Sequence, residues 1–312
     1  MNFVENYSLT IGFFGKLPKF ADFVKMNAIG SEISVLDQWL QEGLSLARLK
    51  FENDWRSYYQ NANAINFFYP FTGTDKITVG TLFPSYDKSG RTFPFILFGN
   101  FKKEIVNKLT PQIALLEFHE LFKYFESIFR ANYHNDNLNE LKSLLNSFSP
   151  ISFDQISVEN AYREYISDNS IGNIFNLEKE DTNPLENNSL NRLFNKKISY
   201  LENAPGIRFS FYNDNNNELM KLCFVTELLL KYYSSNVQTP ALFWSGSGGN
   251  NILLYIYFQK PTPGNFLDLI YSEGHFNQNL SVRTENIFKE SAKINAETRL
   301  KDILTAIKNI VN

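Results

Sequence analysis

Apolar and polar positions along the chain fall into two periods, and each predicts its own set of elements. Short runs rich in β-forming residues cover Leu9 to Phe14, Ile65 to Phe71, Ile77 to Phe83, Thr92 to Phe98, Ile207 to Tyr212, Ala241 to Trp244 and Ile252 to Phe258, and predict strands. Helical spacing appears in Ile33, Leu36, Leu40, Leu44 and Ala47, with Ser31 or Ser34 as the expected N-cap. Trp39 and Gly43 flank that face, and a glycine inside a helix predicts close packing. Asn53 is expected to cap a second, short helix carrying Trp55, Tyr58 and Tyr59. Thr110-Pro111 reads as a helix start, running to about Tyr133. Its Ile113, Leu116, Leu121, Phe125 and Ile128 share a face that Phe118, Phe122 and Phe129 widen, which predicts burial on more than one side.

Beyond His134 the pattern weakens. Asparagine is abundant from residue 135 to 203, where Leu138, Leu141, Leu145 and Phe148 predict one helix. Weaker helical segments cover Val158 to Ile166 and Leu190 to Leu201. Order returns with a helix from Glu218 to about Tyr233, capped by Asn217, and another starting at Thr262-Pro263. Leu300, Ile303, Leu304, Ile307 and Val311 recur at i, i+3, i+4, i+7, with Lys301, Asp302 and Lys308 opposite. That tail helix either docks on its own domain or is offered to a partner. The expected division is an N-terminal portion at 1–134, an elaborated connector at 135–203 and a C-terminal portion at 204–312 that completes the fold. Hairpins alternating with helices argue against a purely parallel βαβ array. The fold class expected is α/β (α+β): a mainly antiparallel sheet from two hairpin-bearing halves, with helices packed on its faces.

The first hairpin holds the most information. Asp87-Lys88-Ser89-Gly90 has Asp first and Gly fourth, as a type I turn prefers. Pro84 and Pro94 cannot donate to a ladder, so pairing should stop short of the tip and leave Tyr86, Asp87, Lys88 and Arg91 on an open loop. Asp87 and Arg91 then either hold the turn together or shape a binding surface. The first strand ends near the same rim, so Lys16, Asp22 and Arg91 are expected to cluster there, with a buried Asp22–Arg91 ion pair as the purely structural version.

Composition narrows the field. The 312 residues suffice for a large core, and aromatics make up 16% of them. A net charge of -3 gives no basic stripe, so nucleic acid is not an expected partner. Apolar runs fall short of the ~18–20 residues of a membrane span. The opening M-N-F-V-E-N-Y-S shows no charged and then apolar leader, so no signal peptide is expected. Cys223 is alone, which fits a reducing, cytoplasmic setting.

The string Pro84-Ser85-Tyr86-Asp87-Lys88-Ser89-Gly90-Arg91-Thr92-Phe93-Pro94-Phe95 resembles the P-S-x-D-x-x-G-R-x-F-P-L signature of the TagF (ImpM) family, accessory proteins of type VI secretion. Upstream, Gly12, Gly15, Lys16 and Pro18, then Asp22-Phe23-Val24, resemble its G-x-x-G-K-x-P…D-F-V opening. Trp39-Leu40 with Gly43-Leu44, and Trp55, resemble its W-L-x-x-G-L and following tryptophan. Downstream, A-L-F-W-S-G-S is similar to the family's S-L-W-W-T-x-G-S, with Phe243 and Ser245 as departures. Phe20-Ala21 stands where the family often has Arg-Gly.

The resemblance implies an accessory or regulatory protein of type VI secretion, acting by protein–protein binding as a post-translational restraint on assembly or firing. It implies partners among secretion components, with a forkhead-associated scaffold protein as one of them. A scaffolding module without repressor activity is the alternative. Phe20, Tyr86 and Lys88 are the expected partner-binding residues.

Gly12 to Leu17 lacks the Gly and the Ser or Thr that a phosphate-binding loop needs around Gly-Lys. Ser245 to Gly249 lacks the glycine two residues before Ser247 that a nucleophile elbow needs, and a strand follows rather than a helix. His119, His134 and His275 lie far apart in sequence, so spacing argues for neither a metal cluster nor a Cys/His dyad. No enzyme activity, cofactor or metal is expected. A hydrolase using Ser247 or clustered carboxylates ranks third.

Overall fold

The computed structural model describes residues 10–71, 73–106, 111–148, 155–170, 207–212, 217–232, 239–245, 251–257, 259–271 and 297–311. Strands β1 (Thr10–Gly15), β2 (Val24–Met26), β3 (Ile65–Pro70), β4 (Lys76–Phe83), β5 (Phe95–Lys102), β6 (Ile207–Tyr212), β7 (Ala241–Ser245) and β8 (Asn251–Tyr257) form one sheet in the order β2-β1-β5-β4-β3-β7-β8-β6. Every neighbouring pair is antiparallel. The β4–β5 and β7–β8 hairpins thus belong to one sheet, joined through β3 and β7. This is the mainly antiparallel α/β architecture the hydrophobic pattern predicts.

Successive residues of the central strands point to opposite faces, and both faces are buried. On β5, Phe95 and Leu97 enter one core while Ile96 and Phe98 enter the other. The first core is closed by α4 (Pro111–Glu117), α5 (His119–Asn132), α6 (Leu138–Asn146), α7 (Gln155–Asp168), α8 (Glu218–Tyr232) and α10 (Leu300–Val311). The second lies under α1 (Ser31–Phe51), α2 (Trp55–Asn61) and α9 (Pro263–Ile270). A short helix, α3 (Lys103–Val106), follows β5. Each fully buried Leu or Phe side chain contributes about 1.5–3 kcal/mol, so the two layers hold most of the driving force.

The second core ties the two halves together. Trp39 packs against Phe243 and Phe266 and donates its indole N–H to the Thr262 carbonyl at 2.8 Å. A Cβ on Gly43 would lie 2.6 Å from Phe266, so the glycine permits the α1–α9 approach. Phe243, which departs from the resembling motif, sits within ring contact of Trp39, Phe67, Tyr69 and Tyr257.

Several boundary expectations need correction, whereas the helices predicted at Leu138 to Phe148 and Val158 to Ile166 form and the tail helix takes the first of its two expected courses. The helix expected from Thr110 to Tyr133 is two helices, because Phe118 leaves helical geometry (φ −84°, ψ 0°) between α4 and α5. Thr110 itself lies outside the described residues, as does Leu190 to Leu201. Helix α1 starts after Gly30 at φ 130°, a conformation a serine cap would not adopt, and Ser34 instead donates back to the Gly30 carbonyl. Asp54, not Asn53, precedes α2. Strand β2 follows Phe23 and has no counterpart among the predicted strands. The stretch after residue 135 contributes α6 and α7, with Leu141, Leu145, Tyr162 and Tyr165 in the first core. The tail helix docks internally, with Leu300, Ile303 and Leu304 buried in that same core.

Candidate functional site

The motif residues of the N-terminal half converge where β4 ends and β5 begins. Regular pairing stops at Phe83↔Phe95, as the flanking prolines require. Beyond it the tip is held by an isolated Tyr86↔Thr92 bridge. The turn closes through Gly90 N–H to the Asp87 carbonyl at 2.8 Å, and Gly90 adopts φ 80°.

Asp87 is fully buried and is the hub of this end. Its Oδ1 accepts from the Ser89 amide (3.0 Å), the Ser89 hydroxyl (2.7 Å) and the Arg91 amide (2.9 Å). Its Oδ2 accepts from Arg91 Nε (2.7 Å) and Lys16 Nζ (3.0 Å). Burial alone would push this carboxyl up. The bonds from Ser89, Arg91 and Lys16 outweigh that and hold it well below the usual carboxylate range.

Lys16 arrives from the end of β1. Gly15 precedes it at φ 131°, and a Cβ there would collide with the Pro94 carbonyl. The Lys16 side chain is buried, and its ammonium lies 5.2 Å from the centre of the Phe23 ring. Its carbonyl accepts from the Ser85 hydroxyl at 2.6 Å, and the Ser85 amide donates to Tyr59 Oη at 3.1 Å. Tyr59 is packed on Trp55, so α2 is wired to the same end of the sheet.

Two loops are stitched together above this knot. Lys88 N–H donates to the Phe20 carbonyl at 2.8 Å, and Arg91 Nη2 donates to the Ala21 carbonyl. Phe20 and Tyr86 are half-buried, Phe20 against the first core and Tyr86 edge-on to Tyr133, while Lys88 is exposed. The expected clustering of Lys16 and Arg91 is therefore present, with Asp87 as the carboxylate between them. Asp22 is exposed and accepts the Phe23 amide at 2.8 Å, so the buried Asp22–Arg91 pair does not form. Arg91 is four residues from Asp87 across a tight turn, and that short loop is the cheaper closure. Gly12 is buried under the Met26 carbonyl and the Phe98 ring, and Trp39 serves the second core; neither lies at the tip. Pro18 is half-buried in the loop that leads from Lys16 to Phe20, and Phe93 packs beneath Phe23 with ring centres 4.8 Å apart.

Phe23 emerges here with a role beyond its place in the motif. It is 44% exposed, yet fixed by Lys16, Phe93 and the Asp22 cap. A second feature lies on the first-core side: a cleft of about 670 Å³ between the sheet and α5 and α8, lined by Asn66, Phe83, Phe122, Glu126, Glu218 and Trp244. Its α5 wall also carries His119, Lys123 and Arg130, and with Glu126 these follow helical spacing, a stripe readable in sequence. Burial, and then the neighbouring Glu126, push Glu218 up to about 7. Burial and Lys123 lower the pKa of His119. Ser247 and His275 lie outside the described residues. Cys223 is fully buried, and burial together with Glu227 pushes its thiol well up.

Residues 12–147 match the model of the TagF N-terminal domain, type VI secretion system-associated. No curated protein matches the chain. Among solved structures, the crystal structure of PA0076 from Pseudomonas aeruginosa PAO1 is similar at 14% identity and a TM-score of 0.48, covering 85% of this chain and 96% of that one.

Proposed function

We propose that the chain, whose residues 12–147 match the model of the TagF N-terminal domain, type VI secretion system-associated, acts by binding a protein partner through the stitched loops at the β4–β5 tip. One observation carries this reading. The buried Lys16–Asp87–Arg91 knot holds two loops rigid while leaving Phe23, Lys88 and much of Arg91 in solvent. A rigid loop bearing a ring and cations is what interfaces use as an anchor, since little conformational entropy remains to be lost.

The same knot supports a non-enzymatic role. Both oxygens of Asp87 are engaged by five donors, and its pKa lies far from where a general base operates. Its chemistry is spent on shape. The partner class we propose is a type VI secretion component, with restraint of assembly or firing through a forkhead-associated scaffold as the finer form drawn from the family. A cytoplasmic setting belongs to the same proposal, and among the described residues no helix is long and apolar enough to cross a membrane.

The test is co-purification. The tagged full chain should retain type VI components from its source cell, and Tyr86→Ala with Lys88→Ala should reduce that capture at least about tenfold. A wild-type chain that retains none of them ends the reading.

A further inference from the structure

On top of the protein-binding reading, on which this step rests, we infer that the tip surface selects a partner segment that is acidic and carries an apolar side chain for Phe23. The chain as a whole is negative, at -3, but the two stitched loops are not. Segments 19–25 and 88–91 carry Lys19, Lys25, Lys88 and Arg91 against Asp22 as their one anion. All four cations are exposed. Asp22 is already occupied by the Phe23 amide, and Arg91 is anchored at its Nε by Asp87, which fixes the guanidinium at the surface. Lys88 and Lys19 flank Phe20, whose carbonyl receives the Lys88 amide.

Phe23 supplies the apolar half. Alternation along the β2 edge places it on the same side as Lys25, with buried Val24 between them on the other. The ring rests edge-on against Phe93, with the buried Lys16 ammonium 5.2 Å from its centre. It is thus an exposed aromatic with little freedom left to lose. A basic rim around an ordered ring is complementary to glutamate or aspartate side chains bracketing a leucine-like residue.

The experiment uses the full chain and a fluorescently labelled peptide of glutamates around a central leucine, with counterparts carrying glutamine or lysine in place of each glutamate. The glutamate peptide should bind at least about tenfold tighter than the glutamine peptide at low salt, and the difference should shrink as salt screens the exposed lysines. Phe23→Ala, and separately Lys19→Glu with Lys88→Glu, should each weaken it by about tenfold or more with an unchanged Tm. Because the lysines are exposed, the charge-reversed variant remains informative even if Phe23→Ala disturbs the loop. Equal affinity for the glutamate and glutamine peptides overturns the inference, as does full affinity after charge reversal. Preferential binding to phosphatidylcholine–phosphatidylserine vesicles over the glutamate peptide overturns it in favour of a lipid surface. If type VI components still co-purify through the tip while the glutamate peptide does not bind, the acidic partner is wrong and the protein-binding reading stands.

Discussion

At one end of the β4–β5 hairpin Asp87 is buried beneath two loops, and at the other Glu32 is buried in the first turn of α1. Each carboxylate meets a lysine, at 3.0 Å for Lys16 and 2.9 Å for Lys76. The difference lies in the lysine. The Lys16 side chain is only 8% exposed, whereas the Lys76 side chain is 43% exposed. Glu32 adds its own backbone amide and, at 3.4 Å each, the Asn100 amide and the Ser31 hydroxyl, and Asn100 in turn accepts from the Thr78 hydroxyl. One end is a fully committed ion network under a surface of rings and cations. The other is a helix start fastened to the sheet. Similar pairings therefore serve different ends, and the burial of the cation tells them apart.

The largest test of that contrast is Asp87→Ala. It strands Lys16 as a buried charge, and removing one partner of such a pair costs on the order of 3–5 kcal/mol. Urea unfolding should show that loss, with loosening of the 19–25 loop. Glu32→Gln should cost less, about 1–3 kcal/mol, because Lys76 returns to water. Equal losses would erase the distinction between the two ends.

Acid separates them further. In both groups burial pushes the pKa up and is outweighed, by Ser89, Arg91 and Lys16 at Asp87 and by Lys76 at Glu32, so both folded values lie below the ordinary ones. The stability they contribute is present above about pH 4, near the unfolded values, and is lost as pH falls below it. Asp87→Asn should flatten the acid limb of stability against pH more than Glu32→Gln does. Glu218, pushed up by burial and then by the neighbouring Glu126, has the opposite sign. Its folded value near 7 means stability declines as pH rises through the interval from about 4 to 7, and Glu218→Gln should remove that decline.

What was legible in the sequence follows from distance along the chain. The Asp87–Gly90 turn and the break in regular pairing at Pro84 and Pro94 depend on neighbours and stand as read, but the loop beyond is not open: the Tyr86–Thr92 bridge closes it and Asp87 is buried. The amphipathic faces of α1 and α10 likewise reported which side would be buried. Long-range choices were not legible. Both Asp22 and Asp87 could have taken Arg91, and composition does not say which carboxylate will be desolvated. Lys16 reaches Asp87 across 71 positions of sequence, a pairing no spacing rule contains. The break at Phe118 was hidden because apolar residues continue on both sides of it. Strand β2 has three residues, too few for alternation to declare itself.

The smallest expected effect on stability belongs to Lys88, and it sharpens the contrast most. Its side chain is exposed, and its structural contribution is the backbone N–H donated to the Phe20 carbonyl. Alanine keeps that N–H, so Lys88→Ala should change unfolding by no more than about 0.5 kcal/mol. Proline removes the donor, and Lys88→Pro should cost roughly 1 kcal/mol more, the value of a hydrogen bond whose acceptor is left behind. Amide exchange at residues 19–25 provides the second readout: it should be unchanged in Lys88→Ala and accelerated in Lys88→Pro. If alanine were as damaging as proline, the lysine side chain would belong to the knot rather than to the surface. The division between a buried frame and a solvent-facing set of cations would then fail at its most exposed member.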